Sequence, residues 1–145
     1  KNGFVFYTNL NSQKGNELEE NPKAAMCFHW KSLLRQIRIN GTVSQVSKQD
    51  ADQYYNSRAY ESKIGAWASK QSEELTNRDQ LINSIKEYKK KYSDEKKVPR
   101  PSHWSGWNLS PLSIEFWLDG DNRIHERLKY TKDSSGRWNK SLLSP

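Results

Sequence analysis

The sequence predicts a domain with strands at both ends and helices between them, either an α+β domain or a small barrel with helical insertions. Three observations carry this. In residues 35–46, RQIRINGTVSQV, Ile37, Ile39, Gly41 and Val43 alternate with Gln36, Arg38, Asn40 and Thr42. That period of two gives an antiparallel sheet one packed and one polar face. Near the C-terminus, SIEFWL over 113–118 runs into the turn residues Asp119-Gly120-Asp121-Asn122 and a second β-rich run, the pattern of a hairpin. Between these lie two stretches with helical caps and periodicity.

Taken in order, GFVFYTN at 3–9 reads as a strand of aromatic and β-branched residues bounded by Gly and Asn. Ser12 caps a short helix to about Glu20, stopped by Asn21-Pro22. Residues 23–30 form a second strand, and 35–46 the clearest one. Ser47 caps a helix over 47–58, with Asp50 and Asp52 in its early turns. Asn77 caps a long helix to about Tyr92, with an apolar stripe of Leu81, Ile82, Ile85, Tyr88 and Tyr92. Pro99, Pro101 and Pro111 mark a long irregular segment. After the strand at 113–118, residues 123–130 return as its hairpin partner. Ser134-Ser135-Gly136 turns the chain into a last strand at 138–143.

A chain of 145 residues is expected to form one domain with a real core. Only 33% of it is hydrophobic, but six Trp, seven Tyr and four Phe carry much of that share, and aromatic side chains bury large areas each. A formal charge of +7 suits nucleic acid, an anionic membrane surface or a phosphorylated small molecule, and does not choose among them. Cys27 is the single cysteine. It excludes an internal disulfide and a Cys-based metal site, and its place in the apolar run 24–28 predicts a buried, inert thiol. No apolar stretch is long enough to span a membrane and no signal peptide is evident, so a cytoplasmic location is expected. The chain opens on Lys1-Asn2-Gly3, a turn-like sequence without an initiator Met.

The least generic passage is 57–72, SRAYESKIGAWASKQS. Arg58, Ser62, Ser69 and Ser72 are residue types that hold anionic oxygens, and Gly65 and Ala66 allow close approach of a backbone or flat ligand. A solvated helix connection accounts for the same composition. Three further groupings stand out. Tyr7-Thr8 ends a strand just before Ser12-Gln13-Lys14 opens a helix, which is either an anion site or an ordinary capped turn. The lysines of 86–97 lie opposite the apolar stripe and are diluted by Glu87, Asp94 and Glu95, the composition of a solvated helix face rather than a nucleic-acid surface. Arg123, His125 and Arg127 share one face if their segment is a strand. They then face either an anion or solvent, with Glu115 or Glu126 near. His125 lacks the partners of a metal site or a Ser/His/Asp triad.

Taken together, GFVFYTNLNSQKGNELEENP, RQIRINGTV, YYNSRAYESKIGAWASKQS, VPRPSHWSGW, IEFWLDGDNRIHERLKY and the closing LLSP resemble the pyridoxamine 5′-phosphate oxidase family, in the family's order and over almost the whole chain. The resemblance implies a mainly β FMN-binding split β-barrel with helical insertions, working as a homodimer with FMN in clefts between subunits. It implies oxidation of pyridoxamine or pyridoxine 5′-phosphate to pyridoxal 5′-phosphate, with dioxygen as acceptor and hydrogen peroxide as product. By position, Tyr7, Thr8, Lys14, Gln36, Gln71, Ser72, Trp117 and Arg127 match the family's FMN contacts. Tyr54, Arg58 and Ser62 match the group holding the substrate's 5′-phosphate, with Ile64 to Trp67 as the spacer towards Gln71 and Ser72. Arg123 and His125 match the catalytic pair over the substrate ring. No metal, nucleic acid or membrane partner is implied.

The sequence also departs from the family pattern. The strand that precedes the Gly3 strand in the family, with its Arg and Lys, has no counterpart here, so residues 1–145 are expected to be one split-barrel domain lacking that strand. Gln13 stands where an FMN-phosphate Arg is usual, and Leu142 where an Arg usually precedes the final Leu-x-Pro. These departures raise an alternative, a non-catalytic protein binding FMN or pyridoxal phosphate on the same scaffold.

Overall fold

A computed structural model describes residues 3–145; the turn-like Lys1-Asn2 opening lies outside the described residues. In chain order the elements are β1 (Phe4–Asn9), α1 (Gln13–Glu20), β2 (Lys23–Trp30), β3 (Arg35–Gln45), α2 (Lys48–Ser57), α3 (Tyr60–Ala68), α4 (Arg78–Lys91), β4 (Trp104–Leu118), β5 (Glu126–Lys132) and β6 (Trp138–Leu143). Strands pair in the order β2-β3-β4-β5-β6, and β1 pairs with β4. None of the described helices is long and apolar enough to cross a membrane.

The chain divides into two compact units. The first holds Pro22–Ser44 and Asn108–Pro145, with Phe4. Here β2 and β3 are antiparallel from Lys23↔Thr42 to Trp30↔Arg35, and β4, β5 and β6 form an antiparallel meander. Ile39, Val43 and Leu109 are buried, so the alternating face read from residues 35–46 is the packed one. Any side chain at Gly41 would collide with the Ser110 carbonyl and Pro111, so glycine is what lets β3 lie this close to β4. At the β5–β6 turn the Asp133 carboxylate accepts hydrogen bonds from Ser135 and Arg137, which hold its carboxyl below the usual value.

The second unit holds Val5–Asn21 and Gln45–Trp107. The caps are as the sequence predicts: Ser12 accepts from Gly15 N, Ser47 from Asp50 N and Asn77 from Gln80 N. Ala51, Tyr55, Ile64, Val98, Trp104 and Trp107 form its core. The Tyr55 hydroxyl donates to the Lys63 carbonyl at 3.0 Å, tying α2 to α3. Burial pushes that phenol up to about 12. On α3, Trp67 packs against Tyr88 and Tyr92 and donates its indole N–H to the Pro99 carbonyl, so α4 docks through the predicted stripe, although Ile82 on it is exposed.

Three expectations are corrected. Cys27 is exposed: β2 ends the pairing order, and its pleat turns Ala24 and Met26 inward and Cys27 outward. The irregular segment ends sooner, because β4 begins at Trp104 and runs through Pro111; a strand proline forfeits only its own donor. Residues 119–125 form a connection containing a 3-10 turn at Asp121–Arg123, and pairing resumes only at Leu118↔Glu126.

Candidate functional site

In the second unit, β1 ends at Thr8 and Asn9, both buried. The Thr8 hydroxyl has no hydrogen-bond partner among the described residues. Beside it, Asn9 N donates to Gln71 Oε1 at 3.4 Å, so Gln71 is held at the end of β1. Ser72 follows with a φ of 74°, a left-handed conformation that few serines adopt. Lys14 leaves the first turn of α1 with its ammonium 5.9 Å from the Phe6 ring centroid. The neighbouring Gln13 amide donates to Glu17 along its own helix, at 2.8 Å.

Tyr54, near the end of α2, stacks on Tyr7 of β1 with centroids 3.9 Å apart and planes 10° from parallel. Arg58 caps α2 at its C-terminus, and its Nη1 is buried without a hydrogen-bond partner among the described residues. An unpaired guanidinium nitrogen in a buried position is costly unless an acceptor arrives. Ser62 lies exposed in the first turn of α3. Ile64, in the expected spacer, is fully buried, whereas a side chain added at Gly65 would meet open space.

In the first unit, a cavity of about 820 Å³ is lined by Trp30, Gln36, Trp117, His125, Arg127 and Leu142, among others. Gln36 projects from β3, while Trp117 and Arg127 face each other across the β4–β5 ladder. Arg127 is not free. Its Nε and Nη2 donate to Glu115 Oε1 at 2.9 and 2.8 Å, and its Nη1 to the Ser144 carbonyl. Glu115, the carboxylate that organises this corner, was among the charges expected near the hairpin.

His125 packs against Trp117 at 4.8 Å between centroids. Its Nδ1 lies 3.0 Å from Asp119 Oδ1 and 3.3 Å from Gly120 N. The two contacts need opposite roles of Nδ1. The shorter one, to a carboxylate, places the proton on Nδ1 and leaves Nε2 as the acceptor when the ring is neutral. The expected strand face shared by Arg123, His125 and Arg127 does not form. Arg123 and His125 precede β5, and both Asn122 and Arg123 have positive φ, 56° and 68°. Arg123 is exposed and does not line the cavity.

The first unit therefore carries Gln36, Trp117, Arg123, His125 and Arg127, and the second carries Tyr7, Thr8, Lys14, Tyr54, Arg58, Ser62, Gln71 and Ser72. Among the described residues, no group of three or more His, Cys, Asp or Glu is placed to hold a metal. Trp104 and Arg100 had no signal beyond their residue type, since both sit in VPRPSHWSGW, which the resemblance quotes without a role.

Comparison with known proteins was then made. Residues 1–92 match the family model described as Pyridoxamine 5′-phosphate oxidase, and residues 104–145 match that of the Pyridoxine 5′-phosphate oxidase C-terminal dimerisation region. A relative from Pelagibacter ubique (strain HTCC1062), named Pyridoxine/pyridoxamine 5′-phosphate oxidase, is 76% identical over all of this chain and 70% of its own length. One of the same name from Allorhizobium ampelinum is 51% identical over the same shares. Among solved structures, PhzG from Burkholderia lata 383, in complex with tetrahydrophenazine-1-carboxylic acid, has a TM-score of 0.90 at 30% identity, over 99% of this chain and 69% of that one. A pyridoxamine 5′-phosphate oxidase-related, FMN binding protein from Nostoc punctiforme PCC 73102 has a TM-score of 0.73 at 14% identity, over 97% and 71%; at that identity the likeness speaks to the fold alone. The antiparallel sheet with helical insertions is thus the split-barrel fold of these neighbours.

Proposed function

Because the chain belongs to the pyridoxamine 5′-phosphate oxidase family, we propose that it oxidises pyridoxine or pyridoxamine 5′-phosphate to pyridoxal 5′-phosphate, using FMN and dioxygen. The observation that carries this reading is the pair of buried polar atoms without partners, Thr8 Oγ1 and Arg58 Nη1. Both fall on positions where the resemblance expects an anionic ligand, one at the cofactor and one at the substrate phosphate. The residues present therefore fit the group.

When bound, FMN supplies the two-electron acceptor for the hydride lost from C4′ of the substrate, and dioxygen takes the electrons on as hydrogen peroxide. The chain's own part is binding and orientation. In the second unit, Thr8, Lys14, Gln71 and Ser72, with Tyr7, are the proposed cofactor contacts; in the first, Gln36, Trp117 and Arg127 are. Arg58, with Tyr54 and Ser62, clamps the 5′-phosphate, since a dianion favours a guanidinium fork with hydroxyl donors. His125, its Nδ1 held by Asp119, offers Nε2 as acceptor for a substrate hydroxyl or amine proton; Arg123, its partner in the resemblance, is exposed and does not line the same cavity.

A second copy of the chain is the proposed partner. The region matching the dimerisation model contains Phe116, Ile124 and Leu142, all exposed, the last two at 70% and 82%. Trp30, Leu33 and Leu34 in the same unit are exposed as well. Apolar patches of this kind mark interfaces. Sedimentation at micromolar concentration should give twice the chain mass, and a monomer that nonetheless binds flavin would refute the assembly.

The activity is tested by mixing flavin-loaded protein with pyridoxine 5′-phosphate without oxygen. Flavin absorbance should bleach and return on admitting air, with stoichiometric pyridoxal 5′-phosphate. Bound flavin that stays oxidised would leave the non-catalytic binding protein as the correct reading.

A further inference from the structure

We propose that Trp104 is the positioning residue of the substrate-phosphate clamp, holding the Arg58 guanidinium over its indole face; this rests on the assignment of Arg58 to that phosphate. Trp104 is only 6% exposed and lies at the start of β4. The Arg58 Cζ sits 4.8 Å from the centre of its ring, within range for a cation–π contact. The same ring lies nearly parallel to Tyr7 and Tyr54, at 9° and 3°, and Tyr55 meets it edge-on, at 67°. One indole is therefore shared by a residue expected at the cofactor, Tyr7, and by two expected at the substrate phosphate, Tyr54 and Arg58.

The indole is itself anchored. Trp104 O accepts from Arg100 Nη1 at 2.6 Å, and Arg100 Nε donates to Asp52 Oδ1 at 2.6 Å. Asp52 lies on α2, the helix that carries Tyr54 and ends at Arg58. The loop of contacts thus closes on itself: helix to Asp52, to Arg100, to the Trp104 backbone, and from the Trp104 ring back to Arg58. A guanidinium pressed on an aromatic face keeps its in-plane N–H groups for hydrogen bonds. Arg58 Nη1, buried and unpartnered, is such a group.

The test is a double-mutant cycle on flavin-loaded protein, with Trp104→Leu, Arg58→Ala and the pair, read by equilibrium binding of pyridoxal 5′-phosphate and by the separate KM and kcat for pyridoxine 5′-phosphate. Trp104→Leu should weaken binding about tenfold and raise KM with kcat within about twofold. Trp104→Phe, which keeps an aromatic face, should stay within about threefold of the parent. With Ala at position 58, Trp104→Leu should add less than about twofold, since the group it positions is gone. Independent effects that multiply would overturn the role of Trp104 and leave the phosphate assignment standing. An Arg58→Ala protein that binds normally would instead overturn the assignment itself. Should Trp104→Leu yield no folded protein, the same cycle is read with Trp104→Met, which fills the volume without a π face.

Discussion

Arg58→Ala separates the two ligands most sharply. The guanidinium has one buried nitrogen without a partner among the described residues, and a charge-assisted hydrogen bond to phosphate contributes about 1.5–3 kcal/mol. At about 1.4 kcal/mol per factor of ten, losing it raises the substrate's KM by roughly 10- to 150-fold. Gln71, assigned to flavin, is held by Asn9 N rather than by Arg58. The flavin dissociation constant should therefore stay within about twofold of the parent's, measured by quenching of free FMN fluorescence, while steady-state kinetics reads KM. Arg58→Lys keeps the charge but loses the planar fork that lies over the Trp104 ring, and should fall between the two. If Arg58→Ala lost flavin and left KM unchanged, the division of labour between residue 58 and residues 71–72 would be wrong.

Three more outcomes are expected. Tyr55 holds its proton more tightly folded, near 12, than unfolded, near 10, so its contribution of up to about 3 kcal/mol is fully present below pH 10 and is lost as pH rises from 10 towards 12. Urea midpoints should fall over that window, and Tyr55→Phe, less stable at neutral pH for want of the bond to the Lys63 carbonyl, should fall less; parallel curves would refute the assignment. Glu115→Gln removes the carboxylate that fixes Arg127 through two contacts; flavin affinity should drop about tenfold, and unchanged affinity would mean that Arg127 does not hold the cofactor. Gln13→Arg should tighten flavin binding by about tenfold, the worth of one added charged hydrogen bond, by fluorescence titration; no change would show that this end of α1 does not face the phosphate.

Local patterns carried most of the fold because each names its own physical cause. The caps Ser12, Ser47 and Asn77 each satisfy an orphan N–H three residues on, and the alternation at 37–43 follows from the pleat. What could not be read is what depends on partners distant in sequence. Cys27 sits in an apolar run, yet its burial depends on whether another strand covers its face, and β2 ends the pairing order. The left-handed φ of Ser72 has no local cue, since serine does not favour it. Trp104 meets residues 46 to 97 positions away, which no local period can report.

The connection 119–125 shows why residue type and residue placement are different questions. The Asp-Gly-Asp-Asn run signals a turn, and a two-residue hairpin would have put Arg123, His125 and Arg127 on one pleated face. The structure instead spends seven residues between paired positions 118 and 126. Gly120 is needed because any side chain there would strike the Ile124 carbonyl, and the positive φ at Asn122 and Arg123 reverses the chain without a ladder. His125 is then aimed by Asp119 and Trp117 rather than by the sheet, and Arg127 by Glu115. His125 and Arg127 each acquire their own anchor, so their directions can be set independently, which a shared strand face would not permit.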